Sequence, residues 1–186
     1  MAIVEPCSRG RYIVIALRLA LALLVAGALV PELSRYAGER RLYEVRTVLQ
    51  VVATRPRDVP NPGGAVVWAA STAIAASAQI PGDWRPLVFA GAALLIGRQP
   101  DQALDRLRQA LELGERPEID VNVGRAYARL GRDELAGAAF RRAAWISPAL
   151  LAWLPDATRN VVRSELAVLE QALVNGRLAA PPAPPL

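Results

Sequence analysis

Several residue types on which active sites depend are missing or rare in this chain of 186 residues. It has no histidine, and all 22 of its basic residues are arginine. Histidine-containing metal sites, histidine-based catalytic triads, lysine Schiff bases and P-loop nucleotide binding are therefore excluded. The single cysteine, Cys7, excludes an internal disulfide. With 53% hydrophobic and 21% charged residues, the composition is not that of a disordered chain.

The remaining polar residues do not form a catalytic or metal-binding pattern. The acidic residues that lie close together fall at predicted helix starts or on exposed faces, and their spacing matches no calcium-binding loop. No glycine-rich phosphate-binding loop follows a strand. We therefore expect no catalytic residues, no metal, no cofactor and no small-molecule substrate.

The net charge of +5 is confined to the N-terminal third of the chain. Residues 1–57 contain nine arginines and four acids, whereas residues 58–186 contain thirteen of each. The larger part thus lacks the net basic field that nucleic-acid binding requires, and we expect no such binding. Anionic lipid headgroups match the excess better.

An apolar segment follows the basic tail of residues 1–11. Residues 12–30 contain one charge, and at about 1.5 Å per residue they extend roughly 28 Å, close to the hydrocarbon thickness of a bilayer. We expect a single transmembrane helix that ends at Pro31. The alternative is a signal peptide cleaved after Ala28, where small residues match the cleavage pattern. The mature chain would then be a secreted binding protein.

Arg18 is the charge within this segment, where charged side chains are costly. Its guanidinium either extends to the headgroups on the N-terminal side or contacts an acidic or polar group of another membrane subunit. Arginines flank both ends, so their count does not fix the orientation. The arginine- and alanine-rich, lysine-free composition suggests a bacterial source. The signal-anchor layout favours an inner-membrane location with the C-terminal domain in the periplasm.

Beyond this segment the apolar periodicity is helical, and no stretch alternates long enough to indicate a strand. Residues 31–64 should contain an amphipathic helix over 36–54 and a proline- and glycine-rich linker. Residues 65–178 should form a helical domain, and residues 179–186 an extended proline-rich tail. Six helices are predicted in the domain, near residues 65–79, 84–97, 101–113, 118–130, 133–146 and 157–175.

The helical domain contains an internal repeat of 33 residues. Three apolar positions recur at that offset: Ala103, Leu107 and Ala110 correspond to Ala136, Phe140 and Ala143. Small and large residues at helical spacing with such a period indicate repeated helical hairpins. The small residues let the two helices approach closely, and the large one fills the space between them.

With this pattern the chain resembles the tetratricopeptide repeat family. The clear match covers residues 117–150, and residues 84–116 match as a degenerate repeat whose turn should be one residue longer. In the clear match, Asp120 and Val123 replace the family's tryptophan and leucine. Seven residues fall at the family's signature positions: Gly124, Tyr127, Gly131, Ala136, Phe140, Ala143 and Pro148. The resemblance implies an all-α fold, with the membrane helix followed by a short α-solenoid and a C-terminal capping helix.

A polar face on the first helix of the clear match is the candidate binding site. Asn122, Arg125 and Arg129 are spaced by three and four residues and share this face. The resemblance implies that they line a concave groove, where they can bind the carboxylates of a partner peptide. The alternative is a solvated helix face. Trp145 and Trp153 should pack against the capping helix, or else form an exposed docking surface.

Together these features favour a membrane-anchored scaffold or adaptor. Its partners would be membrane or envelope proteins, and it would assist the assembly or stabilisation of a bacterial membrane complex. The alternative is a structural accessory subunit that is held through its transmembrane helix and uses no peptide groove.

Overall fold

The computed structural model describes residues 8–177 and 180–184, with side chains from residue 12 onward. Cys7 and the first residues of the basic tail lie outside this range. The described residues are helical, without strands, which confirms the all-α class. The α-helices are α1 (Ser8–Thr54), α2 (Pro62–Ser77), α3 (Arg85–Ile96), α4 (Pro100–Glu112), α5 (Pro117–Arg129), α6 (Asp133–Ile146) and α7 (Asp156–Val174). Two short 3-10 helices cover Pro56–Asp58 and Pro148–Trp153.

The first helix, α1, is continuous over 47 residues and includes Pro31 in its interior. The predicted helix end at Pro31 is therefore wrong. A proline removes one backbone hydrogen bond and crowds the carbonyl group four residues earlier, which here belongs to Gly27. The helix continues because the residues beyond the proline pack against α2 and α3, and such packing stabilises a helix more than local propensity does. The residues before the proline are exposed, and this part of α1 is long and apolar enough to cross a membrane.

The C-terminal half of α1 contributes to the core of the helical domain. Leu42, Val45, Leu49 and Val52 are buried, as their spacing predicts. The last three belong to the same hydrophobic cluster as the buried residues of α2 to α7. The core therefore begins within α1, ahead of residue 65.

Packing in the helical domain is mainly between neighbours along the chain. Each α-helix contacts the next one, and α1 with α3 and α3 with α5 are also in contact. In α2 the buried side is formed largely by alanines, among them the fully buried Ala69, Ala73 and Ala76. Small side chains at these positions permit close approach of the adjacent helices.

The helix pairs α3–α4 and α5–α6 are two hairpins related by the offset of 33 residues. A Cβ atom on Gly91 would lie 2.9 Å from Leu107 Cδ2, and one on Gly124 would lie 2.5 Å from Phe140 Cε1. Both members of each pair correspond at that offset. The predicted packing of a large side chain against a small residue is therefore confirmed in both hairpins.

The turns of the two hairpins have the same length, so the extra residue expected in the degenerate repeat is absent. Gly131 has a φ of 69°, and Arg98, 33 residues earlier, has a φ of 59°. The glycine next to it, Gly97, has a negative φ. The following amide donates to the carbonyl group five residues earlier, as in a Schellman motif: Gln99 to Leu94 and Arg132 to Tyr127, both 2.9 Å. The sequence misleads here because Gly97 resembles the turn glycine.

Replacing Arg98 with glycine should stabilise the protein by about 0.5–1 kcal/mol, because the left-handed conformation costs an L-residue roughly 1–2 kcal/mol and glycine little. The reciprocal change, Gly131→Arg, should destabilise it by a similar amount. Urea unfolding of the full chain in mild detergent, followed by circular dichroism, measures both. A loss of stability in Arg98→Gly would show that the arginine side chain contributes more than its backbone strain removes.

The C-terminal helix α7 packs against α6 and against the second 3-10 helix, which the sequence did not predict. Of its predicted apolar stripe, Val162 and Leu166 are buried, whereas Leu173 is 53% exposed. The helix ends in a turn in which Gly176 has a φ of 65°, in line with the expected cap.

Candidate functional site

The predicted polar face lies on α5. This helix begins at Pro117, which needs no hydrogen-bond partner for its nitrogen at a helix start. Its apolar side chains, including Ile119, Val123 and Tyr127, point into the core. Asn122, Arg125 and Arg129 lie on the less buried side, as their spacing predicts.

The hydrogen bonds of this face run within the chain. Asn122 Nδ2 donates to Glu118 O at 2.9 Å, and Arg125 Nη1 donates to Asn122 Oδ1 at 3.2 Å. Arg125 Nη2 donates to Trp153 O at 3.1 Å, at the end of the second 3-10 helix. Arg129 reaches the opposite neighbour, where its Nη1 donates to Leu95 O in the last turn of α3. The two arginines thus bind carbonyl groups of the elements on either side of α5.

These two arginines have no carboxylate partner among the residues that the structure describes. Burial lowers the pKa of Arg125, and the charge of Arg129 lowers it further. The face is therefore cationic and not neutralised by nearby acids. A carboxylate that entered between them would meet two guanidinium groups, each with donors left over from its carbonyl contact.

The other predicted residues lie elsewhere. Trp145 is partly buried and packs against the main core, as expected for a structural role. Trp153 is 54% exposed, while its backbone oxygen accepts the bond from Arg125. Arg18 is exposed on the apolar part of α1, and the structure does not bring it to the α5 face.

A second polar cluster, which the sequence interpretation missed, joins α6 to the segment before α5. Arg142 makes a bidentate pair with Glu115, through Nε and Oε1 at 2.6 Å and through Nη2 and Oε2 at 2.7 Å. Its Nη1 also donates to Pro182 O at 2.8 Å, which ties the proline-rich tail to α6. The expectation that Arg142 faces outward is wrong, since only 15% of its side chain is exposed. Its hydrogen bonds lower the pKa of Glu115.

Asp120 is fully buried next to this cluster. Neither of its carboxylate oxygens has a hydrogen-bond partner in the described part of the chain. Burial raises the pKa of Asp120 to about 7; the charges of Glu115 and Glu118 raise it as well, whereas Arg142 lowers it. The signal for this buried acid was present in the sequence, because Asp120 occupies the position where the resemblance places a large core side chain.

The described residues contain no group of three or more acidic or cysteine side chains arranged to hold a metal ion. The geometry of the α5 face is that of a binding surface with two cationic groups. No protein family, curated protein or solved structure gives a significant match to this chain.

Proposed function

We propose that the protein is a single-pass, membrane-anchored scaffold that binds partner proteins of a bacterial membrane or envelope complex. The observation that carries the proposal is the continuity of α1. Its exposed apolar residues 12–30 and its core-forming residues Leu42 and Val45 belong to one uninterrupted helix. The helical domain is thereby joined to its anchor without a flexible linker, which suits a protein that presents a surface at a constant distance from the bilayer.

The scaffold would be a short α-solenoid of tetratricopeptide type. Two features support this part of the proposal: the packing between successive helices, and the two hairpins with equivalent glycine contacts and turns. Solenoids of this kind expose extended surfaces that bind proteins. On a signal-anchor topology the domain would lie in the periplasm, next to the inner membrane.

The partner-binding surface would be the α5 face with Asn122, Arg125 and Arg129. Its two arginines lack an internal carboxylate partner in the described chain, so an acidic segment or a C-terminal carboxylate of the partner is the chemistry it fits. The exposed ring of Trp153, next to the carbonyl group that binds Arg125, would add apolar contact.

A second candidate function is a structural accessory subunit that is held through its membrane helix. The bonds from Arg125 to Trp153 O and from Arg129 to Leu95 O favour it, because they give both arginines a role in the fold. In this case Arg18, on the exposed apolar helix, would contact a polar group of another membrane subunit.

Affinity purification of the full chain in mild detergent, analysed by mass spectrometry, tests both functions. We expect the double variant Arg125→Glu/Arg129→Glu to lose a partner that wild type retains, because glutamates would repel the partner's carboxylates. The matched control is Arg132→Glu/Arg163→Glu, which makes the same charge change at exposed positions. Arg18→Leu tests the accessory-subunit function.

The outcomes separate the two functions. Loss of a partner in the α5 double variant alone supports the scaffold. Dissociation by Arg18→Leu with an intact α5 double variant supports the accessory subunit and contradicts peptide binding. Circular dichroism of each variant, at equal concentration, identifies a loss that results from unfolding, since removal of the Arg125 bond to Trp153 O should itself cost about 1.5–3 kcal/mol.

A further inference from the structure

A polar cavity of about 630 Å³ lies where α1 leaves its apolar segment. One wall is the turn of α1 just beyond Val30, with Glu32 and Arg35. The other wall is the connection between α2 and α3, with Gln79, Asp83 and Trp84. The volume is within the usual range of small-ligand sites.

The second wall is fixed against α1 by close contacts. A Cβ atom on Gly38 would lie 2.6 Å from Ile80 Cγ1, so the connection approaches the helix backbone at this point. Arg85 Nη2 donates to Glu39 Oε1 at 2.6 Å, and Arg85 Nε donates to Asp83 Oδ2 at 2.9 Å. The carboxylates of Asp83 and Glu39 are therefore occupied, and the cavity keeps its shape without a ligand.

The depth of the cavity follows from helix geometry. With residues 12–30 in the hydrocarbon layer, Arg35 lies about 7.5 Å beyond Val30 along the helix axis. The headgroup region on each side of a bilayer is about 5–8 Å thick. The cavity thus opens at the level of the lipid headgroups.

The charges around the cavity favour a zwitterion over an anion. Its lining contains two arginines and two acids. Arg85 and Asp83 bind each other, which leaves Arg35 and Glu32 without an ion pair in the part of the chain that the structure describes. These two residues are three apart on α1 and therefore share a face. One free guanidinium and one free carboxylate at this mouth match a phosphate and an ammonium group.

We propose that this cavity binds the headgroup of a zwitterionic phospholipid with a primary ammonium group, the phosphate on Arg35 and the ammonium on Glu32. The proposal rests on the membrane anchoring in the proposed function. A primary ammonium donates hydrogen bonds to carboxylate and amide oxygens, and Gln79 Oε1 in the lining is buried without a donor. A quaternary ammonium is recognised by an aromatic cage, and Trp84 is the one aromatic residue in the lining.

Native mass spectrometry of the full chain tests the proposal. The chain is equilibrated in mild detergent with equal amounts of phosphatidylethanolamine, phosphatidylcholine and phosphatidylglycerol of the same acyl chains. We expect phosphatidylethanolamine to be retained about tenfold over the other two, the effect of one charged hydrogen bond. Arg35→Gln and Glu32→Gln should each remove the preference. The matched controls Arg46→Gln and Glu170→Gln change exposed residues outside the cavity and should leave it intact.

Each contrary result is distinct. Equal retention of the ethanolamine and choline lipids overturns recognition of the primary ammonium, and preference for phosphatidylglycerol overturns the zwitterionic site. A preference that persists in both Arg35→Gln and Glu32→Gln overturns the assignment to this cavity. Vesicle flotation and carbonate extraction of the wild-type chain are measured in parallel. Failure to remain with the vesicles contradicts the membrane anchor itself, whereas stable insertion without lipid preference contradicts only the headgroup site.

Discussion

Replacing Asp120 with asparagine should raise the free energy of unfolding by about 2–4 kcal/mol near pH 8 and change it little near pH 4. Asparagine has almost the same shape as aspartate but carries no charge. The fully buried carboxylate of Asp120 has no hydrogen-bond partner among the described residues, so its ionised form is poorly solvated in the folded protein. The substitution removes the cost of that ionisation.

The pH range follows from the two pKa values of Asp120. In the folded protein the pKa is raised to about 7, from an ordinary value of 3.8. Between these values the folded state holds a proton that the unfolded state has lost. Stability is therefore highest below the unfolded pKa, falls as pH rises through this range, and levels off above the folded pKa.

Urea unfolding of the full chain in mild detergent, at several pH values between about 4 and 8, measures this effect. The curve of Asp120→Asn should be flatter than that of wild type. Glu170→Gln, which removes an exposed carboxylate from α7, is the matched control and should follow wild type. Parallel curves for wild type and Asp120→Asn would contradict the raised pKa.

Introducing valine at Gly124 should destabilise the protein by about 3 kcal/mol. A Cβ atom at this position would lie 2.5 Å from Phe140 Cε1, and the aromatic ring is buried between α5 and α6. Neither the ring nor the backbone can move away without disturbing the hairpin, and β-branching adds further atoms at the same point.

The matched control is Gly137→Val, the same change in α6. There the nearest atom to a new Cβ is Arg141 Nη1 at 3.5 Å, at the end of a flexible side chain, so stability should change by less than about 0.5 kcal/mol. A double variant with Phe140→Leu should lose less than the sum of the single changes. Thermal unfolding compares all four chains; additive losses would show that Gly124 and Phe140 do not compete for the same space.

The helices and their buried faces could be predicted because apolar spacing alone determines them. The face of Leu42, Val45 and Leu49 is an example, and so is the contact between Gly124 and Phe140 at a known repeat period. The shared face of Asn122 and Arg125 follows from the same geometry. In each case the information lies within one helix or one hairpin.

What could not be predicted depends on contacts between distant parts of the chain. Pro31 is tolerated because residues beyond it pack on later helices, which local propensity does not reveal. Arg142 is drawn inward by Glu115 and Pro182, 27 and 40 residues away. The carbonyl bond of Arg125 to Trp153 depends on a 3-10 helix that has no periodic signal.

The unbroken α1 has a mechanical consequence for a chain anchored as proposed. Thr54, at the far end of the helix, lies about 36 Å beyond Val30 along the axis. Membrane helices tilt in response to bilayer thickness, and a change in tilt of about 10° would move that end sideways by about 6 Å. Because α2 and α3 pack directly on α1, the whole helical domain would follow. The protein would then act as a lever that converts bilayer thickness into the position of its binding surface.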